Sequence, residues 1–209
     1  MARFVYFSFH YEDVSSFRAN VVRNSWVTQR HGAESFVDKS IWEEAQQKGP
    51  KALTRLIDHA LQGTSVTVIL VGSGTYSRRW VRYEIAKSFT EGKGILPIYI
   101  NRIPSRREGI LARGINPLTR LSVGVSPDCK TLAFYERNQT TWLPYPDLPW
   151  DNNRTTNSIY FGDARYGDYP CGKRYVLSDL FPAAYDWVLD DGYKNFADWV
   201  EEAAEDVGR

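Results

Sequence analysis

Glu84 is the acidic side chain of this sequence that is best placed to do chemistry, because it lies on a predicted helix directly after a buried strand. That strand, Val66–Val71, is an unbroken apolar run of the kind found in parallel sheets covered on both faces. At about 100° per helical residue, Val81, Ile85 and Phe89 form a core stripe. Glu84 falls about 60° from Val81, at the margin of the stripe. Open α/β sheets bind ligands beyond the carboxyl ends of their strands, so Glu84 is expected to point toward a ligand crevice.

The loops after the predicted strands supply the other candidate binding residues. These loops carry aromatic rings, hydroxyls, one histidine and one further acid, at Ser8, Phe9, His10, Tyr11, Asp38, Trp42, Ser73 and Tyr76. Aromatic walls around one carboxylate suit a planar, cationic heterocycle attached to a sugar. The crevice is therefore predicted to bind a ligand of that kind.

Each of these residues also has an ordinary structural interpretation. A glutamate at the edge of a core stripe is commonly a salt-bridge partner, and Arg78 or Arg82 could pair with Glu84. The aromatic rings of the loops could belong to core packing. His10 could make local hydrogen bonds only. The residue types alone leave these alternatives open.

Several common active-site motifs are missing from the sequence. GSGTYS, which follows the buried strand, matches neither the P-loop nor the dinucleotide-binding fingerprint, and there is no G-x-S-x-G nucleophile elbow. His10, His31 and His59 are too scattered for a metal triad, and the two cysteines lack C-x-x-C spacing, so we expect no bound metal. These absences argue against most metal-dependent and serine-dependent hydrolases.

Strands alternate with helices over residues 1–101. The predicted strands are Arg3–Phe9, Ser35–Asp38, Val66–Val71 and Ile95–Ile100, and Pro97 indicates that the last of them lies at or near an edge. Helices are predicted over residues 12–24, from Pro50 to Leu61, and from the region of Glu84 to about Gly92, whereas Lys39–Glu44 is expected to be a loop. This alternation predicts an α/β fold with a flavodoxin-like, doubly wound parallel sheet.

The rest of the chain has weaker patterns. Residues 102–177 are expected to be an irregular connection with one β-hairpin, whose strands Thr131–Glu136 and Thr140–Leu143 flank residues 137–139. Residues 178–209 are expected to be C-terminal helices that pack back on the sheet. One would begin at Ser178 or Asp179 and run past Val188, and the last would begin near Lys194. The 209 residues would then form a single domain with one well-buried core.

Charge and hydropathy limit the partners. Lys plus Arg number 26 and Asp plus Glu 25, so the net charge of +1 offers no general attraction to nucleic acid or to a membrane surface. There is no apolar run long enough to span a membrane, and the first residues lack the apolar segment of a signal peptide. We therefore expect a cytoplasmic protein that contacts neither nucleic acid nor membrane.

Three separated segments resemble one known family. FSFHYED (residues 7–13), SVTVILVGSGTYSRRWVRYEI (residues 65–85) and YDWVLDDGYKNFADWV (residues 185–200) are similar to the ThsB family, the TIR-domain proteins of Thoeris antiphage systems. The resemblance implies a flavodoxin-like TIR fold. It also implies an enzyme that cleaves NAD+ at the nicotinamide–ribose bond and forms a cyclic ADP-ribose isomer. That product would be a second messenger for a separate effector, which depletes cellular NAD+.

The resemblance also assigns roles to residues. The family's catalytic glutamate lies in a W-x-x-x-E segment, matched here by Trp80 and Glu84. Phe9, Tyr11 and Trp42 become candidates for stacking or water exclusion, and Ser8 or Ser73 for hydroxyl or phosphate contacts. NAD+ would be the substrate and no resident cofactor is expected. A phage-derived trigger and a homo-oligomer on activation would accompany the activity. The alternatives are a non-catalytic TIR-like interaction module, or an enzyme that releases ADP-ribose to water or joins it to another acceptor.

Overall fold

A parallel sheet of five strands forms the centre of the protein, in a computed structural model that describes residues 3–11, 13, 17–28, 34–37, 39–105, 108–128, 132–146 and 170–209. Its strands are β1 (Val5–Ser8), β2 (Glu34–Ser35), β3 (Val66–Val71), β4 (Gly94–Tyr99) and β9 (Tyr185–Asp186). Their spatial order is β2-β1-β3-β4-β9, and every neighbouring pair is parallel. This is the strand order of flavodoxin-like folds, so the predicted fold class is confirmed.

Helices cover both faces of this sheet. They are α1 (Arg18–Thr28), α2 (Lys39–Lys48), α3 (Pro50–Leu61), α4 (Arg79–Thr90), α5 (Leu177–Leu180) and α6 (Gly192–Glu205). Because side chains alternate along β3, Val68 faces a core that contains residues of α1 and α6, whereas Ile69 faces a core that contains residues of α4. The last helix therefore packs back on the sheet, as predicted. None of the helices in the described ranges has the length and apolar character that a membrane crossing requires.

A second, antiparallel sheet packs over α4. It contains β5 (Leu121–Val125), β6 (Leu132–Asn138), β7 (Thr141–Pro144) and β8 (Arg174–Val176), in the spatial order β7-β6-β5-β8. The expected hairpin is present as β6 and β7. The rest of residues 102–177 was expected to be irregular, and that expectation is wrong for β5 and β8. Phe89 on α4 contacts Phe134 on β6 edge to face, with 5.1 Å between the ring centroids. This contact connects the second sheet to the helix that covers the main sheet.

Two further expectations about elements are wrong. Residues 39–44 belong to α2 rather than to a loop, because their segment KSIWEEAQQK consists mainly of good helix formers. The helix expected from Ser178 past Val188 stops at Leu180, because Pro182 disfavours helical geometry at the residue before it. The chain then extends and pairs Tyr185 with Ile98 as the edge strand β9. Pro97 therefore lies one strand in from an edge, as the sequence indicated.

Candidate active site

The carboxyl group of Glu84 is buried and held by two hydroxyls. The phenol of Tyr6 donates a hydrogen bond to Oε1 at 2.6 Å, and the hydroxyl of Ser8 donates to Oε2. Only 5% of Glu84 is exposed to solvent. Each carboxylate oxygen has two acceptor sites, so one site on each oxygen is left for a ligand.

The two hydroxyls meet one carboxylate because of the alternation of β1. Tyr6 and Ser8 are two residues apart and project from the same face of the strand, toward α4, whereas Val5 and Phe7 belong to the core on the opposite face. Helix α4 is also fixed against the same sheet one turn after Glu84, at Ser88. There the hydroxyl of Ser88 donates to the Glu84 carbonyl at 2.6 Å and lies 2.7 Å from Thr67 Oγ1 on β3.

The surroundings of Glu84 change its acidity. Burial raises the pKa of Glu84 to about 7 from an ordinary value of 4.5, although the hydrogen bonds from Ser8 and Tyr6 act in the opposite direction. Burial also raises the pKa of Tyr6 well above its ordinary value, so this phenol keeps its proton while Glu84 titrates. Glu84 can therefore change its protonation state near neutral pH, which suits a group that takes part in catalysis.

A cavity of about 270 Å³ opens in front of Glu84. Its lining combines aromatic rings with a few polar groups at Tyr6, Phe7, Phe9, His10, Tyr11, Val37, Trp42, Gln46, Arg78, Arg79, Trp80, Val81 and Glu84. The residues come from β1 and the loop after it, from the segment after β2, from α2, and from the first half of α4 with the residue before it. Mostly apolar cavities with a small number of convergent polar groups are the usual form of small-molecule sites.

The aromatic side of the cavity is a connected row of four rings, which we call the aromatic wall: Phe9, Tyr11, Trp42 and Trp80. Neighbouring rings are in edge contact, with centroid separations of 5.9 Å for Phe9–Tyr11, 5.7 Å for Tyr11–Trp42 and 6.0 Å for Trp42–Trp80. The phenol of Tyr11 also donates to the Val37 carbonyl at 2.9 Å. The wall is thus fixed by contacts of its own members before any ligand binds.

Five of the predicted site residues come together around Glu84. Ser8 contacts its carboxyl group, and Phe9, His10, Tyr11 and Trp42 line the cavity. What each does with a ligand stays a prediction. The structural alternative, an ion pair of Glu84 with Arg82, is not what the structure shows: Arg82 pairs with Glu136 of the second sheet at 3.3 Å, and the Glu84 oxygens accept from hydroxyls.

Two other predicted residues lie away from the cavity lining. Ser73 is exposed, and Tyr76 packs under the guanidinium of Arg120, which lies 5.3 Å from its ring centroid. Thr75 is the reason: its hydroxyl accepts from the Gly72 amide at 2.9 Å and folds the loop after β3 into a short 3-10 turn. Asp38 lies outside the described residues.

Several residues of the site were not predicted from the sequence. Tyr6 lies within the predicted strand Arg3–Phe9, and its position two residues before Ser8 is the signal that both side chains share one face. Gln46 lies on α2, a helix that the sequence pattern did not predict. Arg78 and Arg79 bring positive charge to the cavity at the start of α4. Within the described ranges, no group of His, Cys, Asp and Glu side chains is arranged to hold a metal ion.

Comparison with known proteins finds two similarities. Residues 6–104, which contain Glu84 and all of the cavity lining, match the family described as "Thoeris protein ThsB, TIR-like domain". Over 202 residues the chain is 45% identical to a Bacillus cereus (strain MSX-D12) protein named "Putative cyclic ADP-D-ribose synthase ThsB1". That similarity covers 96% of this chain and 100% of the relative, so it includes the second sheet and the C-terminal helix as well.

Proposed function

This chain belongs to the ThsB family of TIR-like Thoeris proteins, and from that membership and the surroundings of Glu84 we propose that it cleaves NAD+ and forms a cyclic isomer of ADP-ribose. NAD+ is the substrate in this proposal rather than a resident cofactor. The observation that carries the proposal is the buried carboxyl of Glu84, held by Tyr6 and Ser8 at an aromatic cavity.

The first step breaks the bond between the nicotinamide nitrogen and ribose C1′. The bonding electrons leave with the ring, which becomes neutral nicotinamide, and the positive charge moves to the ribose. A carboxylate beside C1′ stabilises this charge most in the transition state, which is the requirement for catalysis. Both NAD+ and the ribosyl cation are positive at this end, so ligand binding favours the ionised form of Glu84 even though burial alone raises its pKa to about 7.

The second step forms a new bond from ribose C1′ to an oxygen or nitrogen of the adenosine half. If the attacking atom carries a proton, that proton must leave, and a carboxylate whose pKa lies near 7 is suited to accept it. Water must be kept away until the ring closes. The aromatic wall serves this purpose, because its rings offer apolar stacking surfaces and the phenol of Tyr11 already donates to the Val37 carbonyl.

The size of the cavity limits what it holds. A volume of about 270 Å³ is at the lower end of small-molecule sites, so we expect it to contain the nicotinamide and its ribose. The pyrophosphate would then lie near the cavity mouth, where Arg78 and Arg79 provide positive charge. The adenosine half would fold back toward C1′ from there.

The biological setting follows from the family. We propose that the product activates a separate effector, that a phage-derived signal starts synthesis, and that the enzyme acts on the NAD+ of the cytoplasm. Assembly of several copies on activation is part of the same proposal. A purely non-catalytic interaction module would gain nothing from a buried carboxyl at a cavity, because burial disfavours the charged form of Glu84 and so costs stability.

Product analysis tests the proposal. Purified protein is incubated with NAD+, with and without extract of infected cells, and nicotinamide and the ADP-ribose products are separated by mass. We expect nicotinamide together with a cyclic product that is lighter than ADP-ribose by one water molecule. Glu84→Gln should make neither, whereas the control Glu44→Gln, an exposed acid of α2 outside the cavity, should match the wild type. If ADP-ribose appears without the cyclic product, the enzyme hydrolyses NAD+ and the proposed cyclisation is wrong. If no nicotinamide appears under either condition, the whole proposal is contradicted.

A further inference from the structure

Tyr6 contacts the carboxyl group of Glu84, yet neither the sequence motifs nor the family resemblance gave it a role. Its phenol oxygen lies 2.6 Å from Glu84 Oε1, and only 1% of the residue is exposed. A separation this short is characteristic of a hydrogen bond to an ionised acceptor. The contact is therefore one of the strong polar interactions of the site.

The ring of Tyr6 cannot move away from Glu84 without disturbing the core. It belongs to a cluster of buried side chains with Ile57 and Leu61 of α3 and Tyr83 of α4. This cluster packs α3 and α4 against β1, so three elements fix the phenol oxygen. Through its hydrogen bond, the fixed phenol of Tyr6 can thus hold the carboxyl group in one position.

We propose that Tyr6 is a positioning residue for Glu84, whose phenol holds Oε1 so that the carboxylate stays ionised and correctly oriented when the ribosyl cation forms. The effect of Tyr6 on catalysis rests on the proposed function. Its effect on the ionisation of Glu84 does not depend on that function, so the two effects can be tested separately.

The protonation states agree with this role. Burial raises the pKa of Tyr6 well above its ordinary value, so its phenol remains a donor at every pH at which Glu84 titrates. Among the described residues, the other titratable or charged groups that line the cavity are His10 and Tyr11 after β1, and Arg78 and Arg79 at the start of α4. Tyr6 and Ser8 are the hydrogen-bond donors that lower the pKa of Glu84, in opposition to burial.

Tyr6→Phe is the natural test, because it removes the hydroxyl and keeps the ring in its cluster. Tyr83→Phe is a matched control. Tyr83 lies in the same cluster and next to Glu84 in sequence, but its phenol donates to Asp58 Oδ1 at 2.8 Å and it does not line the cavity. Both variants lose one phenol oxygen from the same part of the core.

The proton of Glu84 can be followed without any activity. In protein labelled with ¹³C at glutamate carboxyl groups, the Glu84 signal is identified by its loss in Glu84→Gln and titrated by NMR. We expect a midpoint near 7 in the wild type and in Tyr83→Phe, and a midpoint about one pH unit higher in Tyr6→Phe. Equal midpoints in wild type and Tyr6→Phe would overturn the proposal.

The rate of nicotinamide release gives the catalytic readout. One pKa unit corresponds to about a tenfold change in the ionised fraction below the midpoint. At NAD+ concentrations well below KM, the rate reports the ionisation of the free enzyme. Under that condition Tyr6→Phe is expected to be about tenfold slower than wild type at pH 6 and to recover to within about threefold at pH 9, whereas Tyr83→Phe follows the wild type throughout. An equal loss at every pH would reduce Tyr6 to a structural role.

Stability offers a third measurement if Tyr6→Phe folds poorly. At pH 8, where Glu84 is largely ionised, Tyr6→Phe should destabilise the wild type more than it destabilises Glu84→Gln, because the hydrogen bond of the phenol to a carboxylate is stronger than one to the amide oxygen of glutamine. Equal destabilisation in the two backgrounds would contradict the proposal. If the titration behaves as expected while wild-type protein releases no nicotinamide, the proposed function fails and the role of Tyr6 at the carboxyl stands.

Discussion

Replacing Glu84 by glutamine should change how the stability of the protein depends on pH. Burial raises the pKa of this carboxyl to about 7, against 4.5 as its ordinary value. Below pH 4.5 the carboxyl is protonated in the folded and the unfolded chain. Between 4.5 and 7 the unfolded chain loses the proton first, so the wild type loses stability as pH rises, and above about 7 the loss is complete.

The size of the effect follows from the same shift. A difference of about 2.5 pKa units, at about 1.4 kcal/mol per unit, is about 3.4 kcal/mol of free energy of unfolding. Glutamine does not titrate, so any change in hydrogen bonding with Tyr6 and Ser8 is the same at every pH. The free energy of unfolding of Glu84→Gln minus that of the wild type should therefore rise by about 3 kcal/mol from pH 4.5 to pH 8.

Urea unfolding of both proteins at half-unit steps of pH measures this difference. Glu44→Gln is the control, because Glu44 is exposed and its neighbour Lys48 lowers the pKa of its carboxyl. The free energy of unfolding of Glu44→Gln minus that of the wild type should stay nearly constant above pH 5. A constant difference for Glu84→Gln over the same range would show that Glu84 titrates like a solvent-exposed acid, which would refute the description of its surroundings.

Two other substitutions test the aromatic wall and the loop after β4. Trp42→Ala should let water reach ribose C1′ and raise the ratio of ADP-ribose to cyclic product severalfold, measured by mass; an unchanged ratio would show that Trp42 does not exclude water. Arg18, which is 1% exposed, donates to the Ile103 carbonyl at 3.0 Å and the Gly109 carbonyl at 2.8 Å. Arg18→Met should therefore lower the free energy of unfolding by about 2–4 kcal/mol in urea, and a loss under about 0.5 kcal/mol would contradict this.

The main sheet and Glu84 were predictable because their signals are periodic. The apolar run of β3 and the helical stripe through Val81 and Ile85 placed Glu84 near the core, and the rule for open sheets placed it near a ligand crevice. The structure agrees, with Glu84 buried and lining the cavity.

The hairpin of the second sheet was predicted, but its strands β5 and β8, and β9 of the main sheet, were not. β8 has three residues and β9 two, and strands this short carry no alternation that distinguishes them from loops. These short strands form because each pairs with a longer strand: β8 pairs with β5, and β9 pairs with β4. Such pairing depends on contacts between distant parts of the chain.

Within the site, the sequence identified which segments lie near the carboxyl group more reliably than it identified which side chains face the cavity. Phe9, Tyr11 and Trp42 were expected around the carboxyl group and line the cavity with it. Ser73 and Tyr76 follow a strand of the same sheet, yet the hydroxyl of Thr75 folds their loop into a turn that takes them away from the cavity. A side chain hydrogen bond of this kind decides where a loop points, and no periodic pattern reveals it.

The central claim is that the Glu84 carboxylate stabilises the positive ribose. The most direct measurement is the rate of nicotinamide release at saturating NAD+ by wild type and by Glu84→Gln, with folding of both verified by urea unfolding. We predict a loss of at least about 100-fold for Glu84→Gln, the range found when a group that stabilises transition-state charge is removed. Release by folded Glu84→Gln within about twofold of the wild-type rate would contradict the claim.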